Sequence, residues 1–292
     1  LGALLVITIF LLCNGVPFIA RTGFGKFVLG AEWRPLADTP SYGILPMIVT
    51  SLYVTALAVI FGVIIGLSTA VCLYRFCPRK LVSPVRQMIN LLAGIPSVIY
   101  GLFGMTVIVP FLRDYLSPTG VGYGILAAAI VLSVMILPTV VSVSLDSLSS
   151  VPISYYEGAL ALGATEAEAT FKIVLPAAKS RAAKGARFVV PGDRNGEKYE
   201  NHGAGFWVKN PWPRMAVIMV VGGSPEMPKS LFQSVRTLTS NIAMGAMELG
   251  ENTQEALIAS GVVLLVFALL LNISFSFLKQ DRSERRKRRG KV

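Results

Sequence analysis

Long apolar stretches alternate with short polar ones along the whole chain. Residues 1–20, 44–74, 88–112, 123–148 and 256–278 are each long enough to cross a hydrocarbon core of roughly 30 Å, which takes about 20 helical residues. Nothing in hydrocarbon can pair a stray N–H or C=O, so each run is predicted to be a helix. Composition agrees with this pattern. Charged residues make up 15% of the chain, whereas soluble domains carry about a quarter, and the mean hydropathy is +0.64. The first residue, Leu1, already lies inside an apolar run, which reads as an N-terminally truncated first span. A secretory signal peptide fits 1–20 poorly, because no basic region precedes it and no A-x-A site follows.

Charge then sets an expected orientation, since Lys and Arg collect on cytoplasmic loops. Arg75, Arg79, Lys80 and Arg86 follow the second run with no acid among them, and residues 279–292 form a strongly basic tail. Both are predicted to be cytoplasmic. The net charge of +11 is therefore read as an anchor to anionic lipid rather than a nucleic-acid patch. Counting crossings puts 21–43 and the 113–122 loop outside and 149–180 inside. One more outward crossing is needed before 256–278. Only 215–223 is apolar there, and it is too short by about half.

The 149–180 loop carries local signals for two short helices. Pro152 suits a first turn, and Gly163 suits a left-handed position just past a helix end. Thr165 and Glu168 form a T-x-x-E capping box that opens the second helix. Pro176 marks a boundary. The first helix is predicted to expose Gly158, Ala159 and Ala161 to a partner.

The spacing Glu157-x-Ala159, Gly163 six residues after the Glu, then Ile173-x-Leu175-Pro176, resembles the EAA loop of binding-protein-dependent ABC importer permeases. Gly30-Ala-Glu-Trp33-Arg-Pro35, Tyr42-Gly43-Ile-Leu-Pro46, Leu92-Ala-Gly94-Ile-Pro96-Ser97 through Gly104, and Ser234-Val-Arg236-Thr-Leu-Thr-Ser-Asn241 are similar to the phosphate permeases of that family, and more to the C-type subunit than to the A-type. The resemblance implies an all-α, polytopic, six-span type I importer permease in a bacterial or archaeal cytoplasmic membrane, with a cytoplasmic C-terminus. It implies partners as well: an A-type permease subunit, two copies of a cytoplasmic ATPase, and an external phosphate-binding protein. Glu157, Gly158, Ala159, Gly163, Ile173, Leu175 and Pro176 would make the ATPase-coupling loop. An importer of another oxyanion, sulfate or molybdate, is the alternative within the family.

Small residues and prolines point to candidate pathway positions. Gly94, Pro96 and Ser97 in the third run, and Pro138 and Thr139 in the fourth, interrupt or thin membrane helices, which is tolerated where backbone lines a cavity or meets another helix. Plain small-residue packing accounts for any one of them equally well. After 215–223, Leu231, Phe232, Val235, Leu238 and Ile242 share one face of a predicted interfacial helix over 228–247.

Residues 181–214 depart from the resemblance. The family carries a glycine-rich fifth span here, with Gly-Arg-Ala-x-Gly-Glu-Thr ahead of Met-Ala-Val. This chain keeps Met215-Ala-Val-Ile-Met219 but precedes it with a polar stretch containing Pro191-Gly-Asp and Asn195-Gly-Glu. Each charge at mid-bilayer costs about 2.5–3.5 kcal/mol on insertion scales, so the stretch is not lipid-facing helix. A frameshift-like or inserted segment, a true cytoplasmic loop with a shortened fifth span, and a new binding loop are the competing readings. The return to family sequence at Met215 favours the first, and a non-functional allele is among its consequences. His202, the sole histidine, lies in this segment without ligand-type neighbours.

Other classes lose support. No G-x-x-x-x-G-K-[ST] loop is present to cradle ATP phosphates, so no catalysis and no cofactor or metal are expected of this chain itself. The runs lack the paired carboxylates or Cys/His sites of an intramembrane enzyme and the intramembrane acids of an ion-coupled carrier. Cys13, Cys72 and Cys77 have no ligand spacing and read as small buried apolar residues.

Overall fold

The computed structural model describes residues 2–118, 120–182, 213–245 and 253–270. Among these, five helices are long and apolar enough to cross a membrane: Leu5–Thr22, Leu45–Phe76, Ser97–Tyr115, Ile125–Ser149 and Thr253–Leu270. In chain order the elements are α1 (Gly2–Thr22), α2 (Phe24–Leu29), the two-residue strands β1 (Trp33–Arg34) and β2 (Ser41–Tyr42), α3 (Leu45–Val71), α4 (Arg79–Gly94), α5 (Ser97–Phe103), α6 (Val109–Tyr115), α7 (Ile125–Ser149), α8 (Ile153–Ala161), α9 (Glu166–Glu168) and α10 (Leu175–Ala182). They continue with α11 (Pro213–Val221), α12 (Leu238–Gly245) and α13 (Thr253–Leu270). Wide π-helical turns follow α3 at Cys72–Phe76, join α5 to α6 at Gly104–Ile108, and join α9 to α10 at Ala169–Val174. Most of 181–214, with His202 and both Pro191-Gly-Asp and Asn195-Gly-Glu, lies outside the described residues, as does the basic tail 279–292.

Several hydroxyls within the spans return to their own helices. Ser51 donates to Met47 O at 2.7 Å, Ser68 to Ile64 O and Thr69 to Ile65 O at 2.8 Å. This i to i−4 bonding satisfies polar side chains where no water is at hand.

The chain divides into two compact units. In the first (1–56, 101–128 and 216–292), Phe18, Phe27, Trp33, Ile44 and Met47 form a core with Leu257 and Ala259 of α13. Gly15 lets α1 approach α13, since a β-carbon there would sit 2.6 Å from Val262 Cγ2 and 3.1 Å from Ala259 Cα. The β1–β2 ladder is antiparallel with Trp33 opposite Tyr42, and their rings meet edge-on at 6.1 Å. Short α11 is held on both flanks. Ala216 and Met219 pack on Gly101, and the carbonyls of Val220 and Val221 accept from Gly124 N and Val235 N.

The second unit (57–100 and 129–215) is built on a close helix pair. Gly62 and Gly66 of α3, four residues apart, face Ile136 and Val140 of α7, also four apart; β-carbons on the glycines would come within 2.5 Å of Ile136 Cδ1 and 2.7 Å of Val140 Cγ1. This is a small-xxx-small contact, which lets membrane helices gain dispersion attraction at short range.

Three expectations are corrected. The run 88–112 is not one helix. The amphipathic α4 ends at Gly94, Ile95 is extended at ψ 127°, and the span begins at Ser97, because Pro96 disfavours helical geometry in the residue before it. The Tyr100 hydroxyl donates to Leu92 O at 2.8 Å and covers a carbonyl at the break. Of the interfacial helix predicted over 228–247, the described residues are helical from Leu238 to Gly245 and not before. Its first half is an irregular strap whose backbone bonds outward, Leu126 N to Leu231 O and Val235 N to Val221 O, in place of an internal helix ladder. Finally, Cys13 and Cys72 are exposed rather than buried. Both lie on span helices, where lipid is as apolar a surrounding as a core.

Candidate coupling site

The loop singled out in the sequence folds as a helix, a tight turn and a second helical stretch, and each feature traces to a named residue. Pro152 stands at the N-cap of α8 with φ −57° and ψ 136°. Gly163 adopts φ +86°, a conformation that costs a residue with a β-carbon roughly 1–2 kcal/mol. Gly163 N donates to Leu160 O at 2.9 Å and Ala164 N to Ala159 O at 3.1 Å. Those two bonds are the Schellman pattern that closes a helix C-terminus on a left-handed residue. Two residues on, Glu168 N donates to Thr165 Oγ1 at 3.3 Å and Thr165 N to Glu168 Oε2 at 3.2 Å, a reciprocal capping box.

The Glu168 carboxylate also accepts from Lys172 Nζ at 2.8 Å. Lys172, then the backbone and hydroxyl of Thr165, hold its pKa down at about 2. A lowered carboxylate pKa adds stability above the ordinary value and loses it as pH falls from there through about 2. The box is therefore expected to hold unchanged across neutral and mildly acid pH. Thr165→Ala should loosen the second helical stretch by about 1 kcal/mol. Hydrogen exchange of amides 166–171 in the solubilised protein checks this, with faster exchange expected in the variant and a flat opening equilibrium between pH 5 and 8 in the parent.

Pro176 does not end the helix as expected. Leu175 keeps helical φ −63° and ψ −45°, and its N–H reaches Thr170 O, five residues back. The wide π turn shifts the ladder by one residue, away from the carbonyl that a proline ring would otherwise strike.

The loop is seated on its own unit through Tyr156, Ala159, Ala169 and Val174, which pack with Val71, Leu73, Leu145 and Leu148. Arg75, in the π turn after α3, lies 3.7 Å above the Tyr156 ring centroid, a cation–π contact that ties α8 to the end of the second span. Ala159 is thus a core residue at 4% exposure, which corrects its expected place on the partner face. The opposite face is open. Glu157, Gly158, Ala161, Gly163, Ile173 and Pro176 are exposed, and Leu175 is half-buried. Leu162 is 90% exposed. Tyr155, Gly158, Leu162 and Ile173 surround an open depression of about 410 Å³. The sequence held no signal for Leu162 and Tyr155, because which apolar side chains stay exposed is set by the fold.

The candidate pathway residues are less unified. Gly94 and Pro96 are exposed at the α4–α5 break, and Pro138 is buried within α7. Ser97 Oγ and Thr139 Oγ1 are both buried with no hydrogen-bond partner among the described residues, so no bond links the two groups to one another.

The family of binding-protein-dependent transport system inner membrane components matches residues 58–192, a range that contains the whole α8–α10 loop. The chain is 36% identical over 291 residues to the probable ABC transporter permease protein YqgH of Bacillus subtilis, covering 97% of this chain and 87% of that protein. It is 32% identical to the phosphate transport system permease protein PstC of Xylella fastidiosa, covering 89% of this chain and 80% of that one. A chain of the MetNI methionine ABC transporter has the same fold, with a TM-score of 0.54 and 20% identity over 81% of this chain and 94% of that chain. The protein is a membrane permease of the ABC importer class. It belongs to the family of binding-protein-dependent transport system inner membrane components, whose members work with an ATPase and a binding protein.

Proposed function

We propose that this chain forms half of the translocation path of an importer for inorganic phosphate, paired with a second, A-type permease subunit and driven by two copies of a cytoplasmic ATPase. The open apolar face of α8, fixed by the Gly163 turn and the Thr165–Glu168 box, carries the reading. Such a face on a rigid helix suits docking into a groove of another protein. Glu157, Gly158, Gly163 and Ile173 are the residues that a partner would cover. Ala159 and Leu175 support the helix pair from beneath, and the Arg75–Tyr156 contact passes a displacement of α8 to the span. Gly94, Pro96, Ser97, Pro138 and Thr139 are the candidate lining of the path. On this reading α8–α10 and the C-terminus are cytoplasmic.

Phosphate as the cargo is supported by the PstC relatives, among them four at 30–32% identity over 86–89% of this chain. The test is uptake of labelled phosphate by cells lacking their own high-affinity system and expressing this chain, with a family-like fifth span in place of 181–214, together with its partners. Saturable uptake is expected, and excess unlabelled sulfate or molybdate should leave it unchanged. Inhibition by either of those anions at concentrations matching phosphate assigns the importer to another oxyanion.

A further inference from the structure

A second concave site lies in the first unit, away from the coupling loop. It is an open pocket of about 300 Å³, walled by Trp33, Pro35, Leu36 and Pro225, with two charged residues, Arg34 and Arg236. The arginines are some 200 positions apart in the chain () and come from β1 and from the strap ahead of α12. Among the described residues, no acidic side chain lines the pocket. Of the acids nearby in sequence, Glu226 accepts from Gln233 Nε2, and Glu32 and Asp38, which flank the lining residues 33–37, are exposed and do not line the pocket themselves.

The two arginines are held differently. Arg236 is fixed from behind. Its Nε donates to Gly223 O at 3.0 Å and its Nη1 to Asn241 Oδ1 at 3.1 Å. Gly223 is positioned in turn by Gly222 at φ +101° and by its own N–H bond to Ser234 Oγ at 3.1 Å. Asn241 is fully buried, and while its oxygen serves Arg236, its Nδ2 has no partner. A buried donor left unpaired is a cost that calls for an explanation; here it accompanies the orientation of one guanidinium. Arg34 is exposed, and its side chain makes no ion pair among the described residues. The β1–β2 ladder that carries it is anchored where Gly30 and Gly43 meet backbone to backbone, a contact no β-carbon would permit.

A cleft lined by one sign of charge, with low-dielectric walls, raises the local concentration of counter-ions. Planar guanidinium groups also match the oxygen spacing of tetrahedral oxyanions. We infer that the Arg34–Arg236 pocket is an oxyanion-binding site at the outer mouth of the permease, gathering inorganic phosphate before it enters the span region. Its placement on the outer side, and phosphate as the anion, rest on the proposed function; anion binding by the pocket does not.

The test uses the assembled importer without its binding protein, in nanodiscs of zwitterionic lipid, with labelled inorganic phosphate measured by equilibrium dialysis. Arg34→Gln and Arg236→Gln are each expected to weaken binding about ten-fold, the loss of one charge-assisted partner. Arg34→Lys should keep most of it, and chloride should compete poorly. Because Arg34 is exposed, Arg34→Gln remains informative if Arg236→Gln fails to fold. Unchanged phosphate binding in Arg34→Gln overturns the site, as does the absence of saturable binding of either phosphate or sulfate by the parent complex. Loss of affinity for the binding protein with anion binding intact also overturns it, and makes the pocket a protein-docking surface. If labelled sulfate binds with the same Arg34 dependence and phosphate does not, the site stands and the phosphate reading fails.

Discussion

Gly158→Trp is expected to abolish ATP-driven uptake while the chain still inserts and folds. A β-carbon at Gly158 would meet no heavy atom within 4 Å, so this chain alone has room for the ring. The added side chain would fill the depression bounded by Tyr155, Leu162 and Ile173, on the face that the proposed ATPase covers. Blocking a central interface position costs at least about 2 kcal/mol, or some 30-fold in partner affinity. Co-purification of the ATPase subunit with the variant, together with uptake, reads the effect directly. Normal ATPase retention and uptake would place the partner elsewhere. Solvent-exposed Ala161 offers a milder probe on the same helix, and buried Ala159 does not, because its enlargement disturbs the chain's own core.

The second large effect is expected within the membrane. Gly62→Leu should destabilise the second unit by about 1–3 kcal/mol, the usual cost of forcing bulk into a packed contact. The β-carbon alone already reaches Ile136, so the rest of the leucine has nowhere to go unless α3 and α7 separate. Ile136→Ala in the same chain should recover much of the loss, since it removes the atoms that clash. Thermal unfolding of the detergent-solubilised single and double variants separates the two cases. A Gly62→Leu protein as stable as the parent would show that α3 and α7 do not pack through this face.

What was legible in the sequence follows from the range of the forces involved. The α8–α9 junction was readable because every determinant is local: Gly163 for a left-handed position, and Thr165 and Glu168 three residues apart for the box. Spans were readable because hydrocarbon imposes length and helicity together. Pro176 misled, since the rule about residues before proline assumes a regular helix, and the π turn at Ala169–Val174 removes the clash. The 228–237 strap misled as well. Leu231, Val235 and Leu238 have helical spacing, yet the backbone of this stretch pairs with α11 and the start of α7. The Gly62–Gly66 contact went unremarked because glycine spacing gains meaning only with its partner, Ile136 and Val140, some seventy residues on (). Arg34 and Arg236 were invisible as a pair for the same reason.

Labelled-phosphate uptake tests the central claim most directly. It is measured in cells lacking a high-affinity phosphate system, with this chain and its partner subunits expressed, once as written and once with 181–214 replaced by a family-like fifth span. Saturable phosphate uptake by the chain with the family-like span is expected, and it stops when the ATPase subunit is omitted. Failure of that chain to take up phosphate, although inserted and bound to its partners, would contradict the assignment to phosphate import.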